Sequence, residues 1–186
     1  MAIEQPRYAV EAKADTFELR RYDPYLVAEV EVDGDQGEAV NRGFRKLAGY
    51  IFGANQGSAK IAMTAPVAQT PVGEKIAMTA PVTQVPTARG RWTVQFMMPA
   101  AYRIDTLPRP NDPDIRFKPE PARRMAVLTY SGVARGGNYA EKSRELLHWI
   151  AGRGLVARGE PVLAQYDPPW TPWFMRRNEV LIEVAP

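Results

Sequence analysis

Tyr25-Leu-Val-Ala-Glu-Val-Glu-Val32, broken at Asp33-Gly34 and followed by Asp35 and Glu38, is the stretch on which the fold turns. Its later residues alternate apolar and charged with period two, the pattern of an antiparallel strand with one buried face. Asp35 followed three residues on by Glu38 is a capping-box signature. Val40, Phe44, Leu47 and Ile51 then recur at helical spacing, with Asn41, Arg42, Arg45 and Lys46 elsewhere on the wheel and Gly53 as a stop. The succession returns downstream. Residues 125–133 read as a strand, Gly136-Gly137 breaks the chain, and Asn138 with Glu141 repeats the capping arrangement. Tyr139, Ser143, Leu146, Leu147 and Ile150 then mark one face of a second helix, ended near Gly152 and Gly154.

Outward from these two units the chain is mostly strand. Residues 8–13, 17–22, 91–99, 115–118, 162–166 and 176–184 all carry β-prone or alternating runs. The 106–114 stretch is a rigid polar loop, and Asp167-Pro-Pro-Trp-Thr-Pro-Trp-Phe174 is a stiff aromatic one. Strands outnumber helices by about four to one, which predicts an α+β fold, an antiparallel sheet covered by two helices. The doubled unit predicts an internal pseudo-twofold axis. At 186 residues the chain is expected to form one domain, 1–186, burying about 70% of its surface.

The middle of the chain holds a tandem repeat. Lys60-Ile-Ala-Met-Thr-Ala-Pro-Val67 recurs unchanged as Lys75-Ile-Ala-Met-Thr-Ala-Pro-Val82, and Gln69/Gln84 and Pro71/Pro86 extend the match. Two copies make a local duplication, not a solenoid. Each copy reads as a short strand with Pro66 or Pro81 at its end or on an edge, because proline cannot donate to a ladder. Either the two copies form a hairpin, or one holds the sheet position and the other bulges out as a loop.

Composition excludes several chemistries. With no cysteine and one histidine there is no disulfide framework, thiolate nucleophile, iron–sulfur ligation or Cys/His zinc site. Net charge is +3 with the charges mixed along the chain, so no clustered basic stripe points to nucleic acid. No run of apolar residues is long enough to span a membrane. The N-terminus lacks the basic and apolar regions of a signal peptide, and a reducing cytoplasm is the expected compartment.

No GxSxG elbow, HExxH or phosphate-loop pattern occurs. Asp33/Asp35 and Asp112/Asp114 read as turn carboxylates. His148 falls on the polar face of the second helix beside Arg144 and Glu145, an exposed position rather than a metal ligand. Met63, Met78, Met97, Met98, Met125 and Met175 lie in or beside predicted strands or the aromatic loop, either as core packing or as the lining of a flat apolar pocket. Tyr166, Trp170, Trp173 and Phe174, next to Arg176 and Arg177, either pin the loop over the sheet or form a flat surface for a hydrophobic anion.

The octapeptide, the run Tyr166-Asp-Pro-Pro-Trp-Thr-Pro-Trp-Phe-Met-Arg-Arg-Asn-Glu179 and the opening Phe17-Glu-Leu-Arg-Arg-Tyr22 resemble the signatures of the SOUL haem-binding protein family. Asn41-Arg-Gly-Phe44 with Tyr50-Ile51 is similar to its first helix. The resemblance covers about Tyr8 to Val184. It implies a distorted antiparallel β-barrel or sheet flanked by two helices with internal pseudo-symmetry, related to bacterial effector-binding domains. It also implies binding of haem or another tetrapyrrole in an apolar groove by the first helix, as carrier, buffer or sensor. The histidine proposed as iron ligand in some relatives has no counterpart here, which leaves Met, Tyr or no strong axial ligand.

On that footing Met63, Met98, Tyr130, Trp173 and Phe174 are expected to line the groove, and Arg42, Arg45, Lys46, Arg176 and Arg177 to meet the carboxylates. Two other classes stay open. One is an enzyme on the same scaffold, a small-molecule hydrolase for example, with Glu179 or Glu183 as general base beside Tyr130; a raised pKa on a cleft-facing glutamate would mark it. The other is a protein-interaction module using the aromatic loop.

Overall fold

The computed structural model describes residues 3–57, 73–88, 90–134, 136–168 and 170–185. The chain opens with β1 (Tyr8–Ala14), β2 (Phe17–Tyr22) and β3 (Tyr25–Asp33), then α1 (Gln36–Ile51) and the short β4 (Asn55–Gln56). Next come β5 (Val82–Ala88), β6 (Arg91–Met97), the short β7 (Arg109–Pro110), β8 (Arg116–Glu120) and β9 (Arg123–Ser131). The chain closes with α2 (Gly137–Gly152), β10 (Ala157–Gln165), a single 3₁₀ turn at Trp173–Met175 and β11 (Arg177–Val184). Nine strands form one curled antiparallel sheet in the order β1-β2-β9-β11-β10-β5-β6-β3-β8, and β4 pairs with β7.

That order contains the internal symmetry. Outward from the central β10/β5 pair, β11 matches β6, β9 matches β3 and β2 matches β8. In sequence the two halves are β2-β3-α1-β5-β6 and β8-β9-α2-β10-β11. Each half lends its first strand to the other: β2 pairs with β9, and β8 with β3. The two halves are thereby interlocked.

Both helices cover the same face of the sheet. α1 packs on Ala28, Val30, Val94 and Phe96, and α2 on Leu19, Ala126, Leu128, Val180 and Ile182. The strand period of two sends the alternate residues, Val27, Met97, Met125 and Leu181, to the concave face. α1 comes close to β6 because residue 43 is glycine: a Cβ there would stand 2.6 Å from Val94 Cγ2. The expected cap of α1 is present, with Asp35 accepting from the Glu38 N–H at 2.9 Å.

Three local expectations are corrected. α2 has Gly136 as its N-cap with no side-chain cap bond, and the Asn138 amide turns back to donate to the Val133 carbonyl at 3.0 Å. Leu147 is 41% exposed instead of core-facing, because Leu146 and Ile150 already fill that stripe. The second octapeptide is not a strand until Val82. Two of its backbone N–H groups are bonded outside the sheet's ladders, Ile76 to the Ile51 carbonyl at the end of α1 at 2.8 Å and Ala80 to that of Glu4 at 2.9 Å. The first octapeptide, with Met63, lies outside the described residues.

Candidate functional site

The concave face carries charge at one end of its central strands and an open cleft at the other. The charged end is built on Glu179, which β11 places between Thr129 of β9 and Ala164 of β10. Its carboxylate is fully buried. Arg20 donates to both oxygens, at 3.0 and 3.1 Å, and Arg177 Nη2 donates at 2.7 Å. The Tyr166 hydroxyl donates at 2.6 Å, and Arg177 also lies 4.0 Å over the Tyr166 ring. Arg20 extends the cluster to Glu18 at 2.7 Å and to the Tyr22 hydroxyl at 3.0 Å.

Burial pushes the Glu179 carboxyl upward, but Arg20, Tyr166 and Arg177 overcome it and hold the group below its ordinary range. Burial also raises the Tyr22 and Tyr166 phenols, so both stay protonated. The cluster is a neutralised scaffold that fixes the two tyrosines.

Those tyrosines form a wall of the cleft, which has a volume of about 980 Å³ with its open mouth included. Val27, Met97, Met125, Ala164 and Leu181 make an apolar floor, and Tyr25 stands with Tyr22 and Tyr166. Lys118, Glu120, Arg123, Arg158, Glu160 and Glu183 ring it with charge. Glu120 is buried and answers two cations, Lys118 at 3.0 Å and Arg123 at 3.2 Å. Arg123 donates also to the Tyr25 hydroxyl at 2.9 Å. Burial works against its charge, but Tyr25, Glu120 and Glu183 together raise its pKa above the ordinary value. Neither Arg158 nor Glu183, which face each other across the β10–β11 ladder, has an ion pair among the described residues.

The residues expected from sequence fall in separate places. On α1, the Arg42 guanidinium is held by the Asp33 carbonyl, Arg45 Nε donates to the Asn41 carbonyl at 3.2 Å, and Lys46 is shared by Asp114 at 2.6 Å and Asp112 at 3.0 Å. Met98 is buried beneath α1. Tyr130 lies on the opposite half, against α2, and donates to the Ala134 carbonyl at 2.9 Å. Trp173 and Phe174 face solvent, and Arg176 Nε is bonded to the Thr171 carbonyl at 2.7 Å. Of the residues weighed as a general base, Glu179 is spent on the ion pairs and Glu183 lines the cleft.

His148 is exposed on α2, in the helical layer on the other face of the sheet from the cleft. Among the described residues no three His, Asp or Glu side chains converge as a metal site. Of the cleft residues, the sequence offered Met97, Met125 and Tyr166 as candidate pocket lining and Glu183 as a candidate base, but not Tyr22, Tyr25, Val27, Arg123, Arg158 or Leu181. Val27, Met97, Met125 and Leu181, apolar residues among the mostly polar alternate positions of β3, β6, β9 and β11, were the signal that the second face of the sheet is used as well.

The sequence profile of the SOUL heme-binding protein family matches residues 3–73 and 68–183, two stretches that meet between the octapeptide copies. The chain belongs to the SOUL heme-binding protein family. Among its SOUL relatives, mouse Heme-binding protein 2 is 25% identical over 195 residues, covering 98% of this chain and 90% of the relative. Heme-binding protein 1 of Xenopus laevis is 27% identical over 165 residues, covering 88% and 81%. In solved structures the fold is similar to the EcmrR C-terminal domain, with TM-score 0.65 and 12% identity over 96% of this chain and 98% of that one. It is similar also to a hydrolase from Listeria innocua, with TM-score 0.61 and 12% identity over 94% of both chains. The fold is thus one shared with the EcmrR C-terminal domain.

Proposed function

We propose that this SOUL protein binds haem or another tetrapyrrole in the concave cleft, and that it serves in the cytoplasm as a carrier, buffer or sensor and not as an enzyme. One observation carries the reading: an apolar floor with tyrosine and methionine side chains lies beside Arg158, a cation with no ion pair among the described residues. A flat apolar macrocycle with carboxylates on one edge needs that combination. With His148 on the other side of the sheet, Tyr22, Tyr25, Met97 and Met125 are the cleft's donors toward an iron. The macrocycle and its carboxylates supply most of the affinity. The enzymatic reading loses its best base, because a carboxylate held by two arginines and below its usual pKa is a weak proton acceptor.

The test is titration with haemin and with metal-free protoporphyrin, followed by the Soret band. Both are expected to saturate with affinities within about fivefold, a difference of under about 1 kcal/mol. Val162→Trp, which fills the cleft, abolishes binding, and Arg158→Glu weakens it for both ligands. Loss of binding in Arg45→Glu or Trp173→Ser, with Val162→Trp unaffected, would move the site to the α1 groove or the aromatic loop. No saturable binding of either ligand sinks the reading altogether.

A further inference from the structure

Glu183 is a half-buried carboxylate at the end of an apolar floor, and it bonds to no cation among the described residues. The ladder puts it there. Glu183 follows Leu181 by two on β11, so it shares the concave face with that floor residue. Arg158 of β10 lies directly opposite. Opposed residues of an antiparallel pair send their side chains to one face, with Cβ atoms about 5 Å apart.

The pairing then breaks. Gly159, Glu160 and Pro161 bulge out before Val162 rejoins Leu181. Gly159 has the φ of +70° that suits glycine at such a bulge, and the Tyr139 hydroxyl of α2 donates to the Pro161 carbonyl at 2.6 Å. Arg158 and Glu183 therefore stand side by side on an anchored piece of backbone.

The other charges of the rim are accounted for. Lys118 and Arg123 both close on Glu120, and Glu160 is exposed to water. Glu183 helps to hold the charge on Arg123 without bonding to it. A carboxylate in this position loses its remaining water when a ligand covers the floor. That loss is costly unless the ligand brings a hydrogen-bond donor.

Resting on the assignment of the cleft as a tetrapyrrole site, we propose that its preferred ligand is an open-chain tetrapyrrole, with Arg158 on a carboxylate and Glu183 on pyrrole N–H groups. In haem every ring nitrogen is bound to iron, and in a metal-free porphyrin the N–H groups are enclosed by the macrocycle. Neither offers a donor to a carboxylate at its edge. Opening the ring frees the N–H groups, and rotation about the bridging methines turns an N–H and a carboxylate to the same side. Such a ligand matches a cation and an anion standing together. A haem carboxylate that reaches Arg158 instead meets the repulsion of Glu183. A site built to bond an N–H rejects analogues that lack one.

The test is titration with biliverdin beside haemin and protoporphyrin, followed by the absorbance of each ligand. Wild type is expected to bind biliverdin about tenfold more tightly than either porphyrin. Glu183→Gln should weaken biliverdin by about that factor while haemin binds as well as before or more tightly. A merely structural loss would weaken every ligand alike, and that result overturns the role of Glu183. Biliverdin dimethyl ester should lose the response to Arg158→Glu and keep the response to Glu183→Gln. Biliverdin no tighter than the porphyrins, with both porphyrins saturating, overturns the preference and leaves the cleft a porphyrin site. Biliverdin binding that survives Val162→Trp lies outside the cleft and also overturns it. Saturation by biliverdin alone supports the proposal and removes haem from the ligands. If none of the three binds, the cleft is not a tetrapyrrole site.

Discussion

Replacing Arg20 by Met is the sharpest probe of the concave face. The substitution keeps the volume and the apolar stem but removes the guanidinium that binds Glu179 at 3.0 and 3.1 Å. Glu179 is fully buried and Arg20 is only 2% exposed, so water cannot replace the lost partner. Arg177, still 2.7 Å away, compensates in part. Breaking a buried pair from one side costs about 3–5 kcal/mol. With a urea m-value of roughly 2 kcal/mol/M, the midpoint should fall by about 1.5–2.5 M. Arg20→Met/Glu179→Leu removes both charges and should recover most of the loss, since an apolar replacement of a buried pair is near neutral.

The pH dependence adds a second arm. The Glu179 pKa is depressed in the folded state from 4.5, so its contribution is fully present above that value and is lost as pH falls through the folded pKa. Glu179→Gln should flatten that acid slope. A single Arg20→Met variant that loses less than about 1 kcal/mol would falsify the account of a desolvated cluster.

Gly43→Ala should destabilise by about 1–3 kcal/mol in urea melts, because the new methyl meets Val94; a gain of stability, as in an exposed helix, would show that α1 can shift away from β6. Deleting residues 58–72 joins Gly57 to Gly73 and keeps the Asn55 bonds to Glu74. Far-UV circular dichroism and porphyrin titration should then match the full chain, since the second octapeptide retains Ile76 in the α1 core and Thr79 on the Met97 carbonyl; an unfolded product would show that the first copy is needed. His148→Ala should leave the Soret titration unchanged, and a lost Soret shift would place iron ligation on α2.

Much of the fold was legible because strand period and helix capping are local. The 25–32 alternation and the Asp35–Glu38 pair specified β3 and the start of α1, and the repetition of that unit anticipated the two halves seen in the strand order. The α2 cap was misread because Asn138 has a competing carbonyl at Val133 within reach, which sequence spacing does not reveal. The second octapeptide was misread because alternation alone does not say whether a neighbouring strand is there to pair with it. The aromatic loop was legible as stiff, from its prolines, but not as outward-facing.

The cleft was legible only as scattered candidates, Met97, Met125, Tyr166 and Glu183, and not as one site. Arg20 and Glu179 lie 159 positions apart, and their meeting depends on β2 crossing to pair with β9 while β9 pairs with β11. Sequence by itself determined the elements, the doubling and the family, because period, caps and signature motifs are written within short windows. The tertiary structure alone decided which strands became neighbours and how the sheet curls. Those two facts separate the helix-covered face from the concave one, and so turned Glu179 from a possible base into a buried counter-ion and Met97, Met125 and the tyrosines into a cleft.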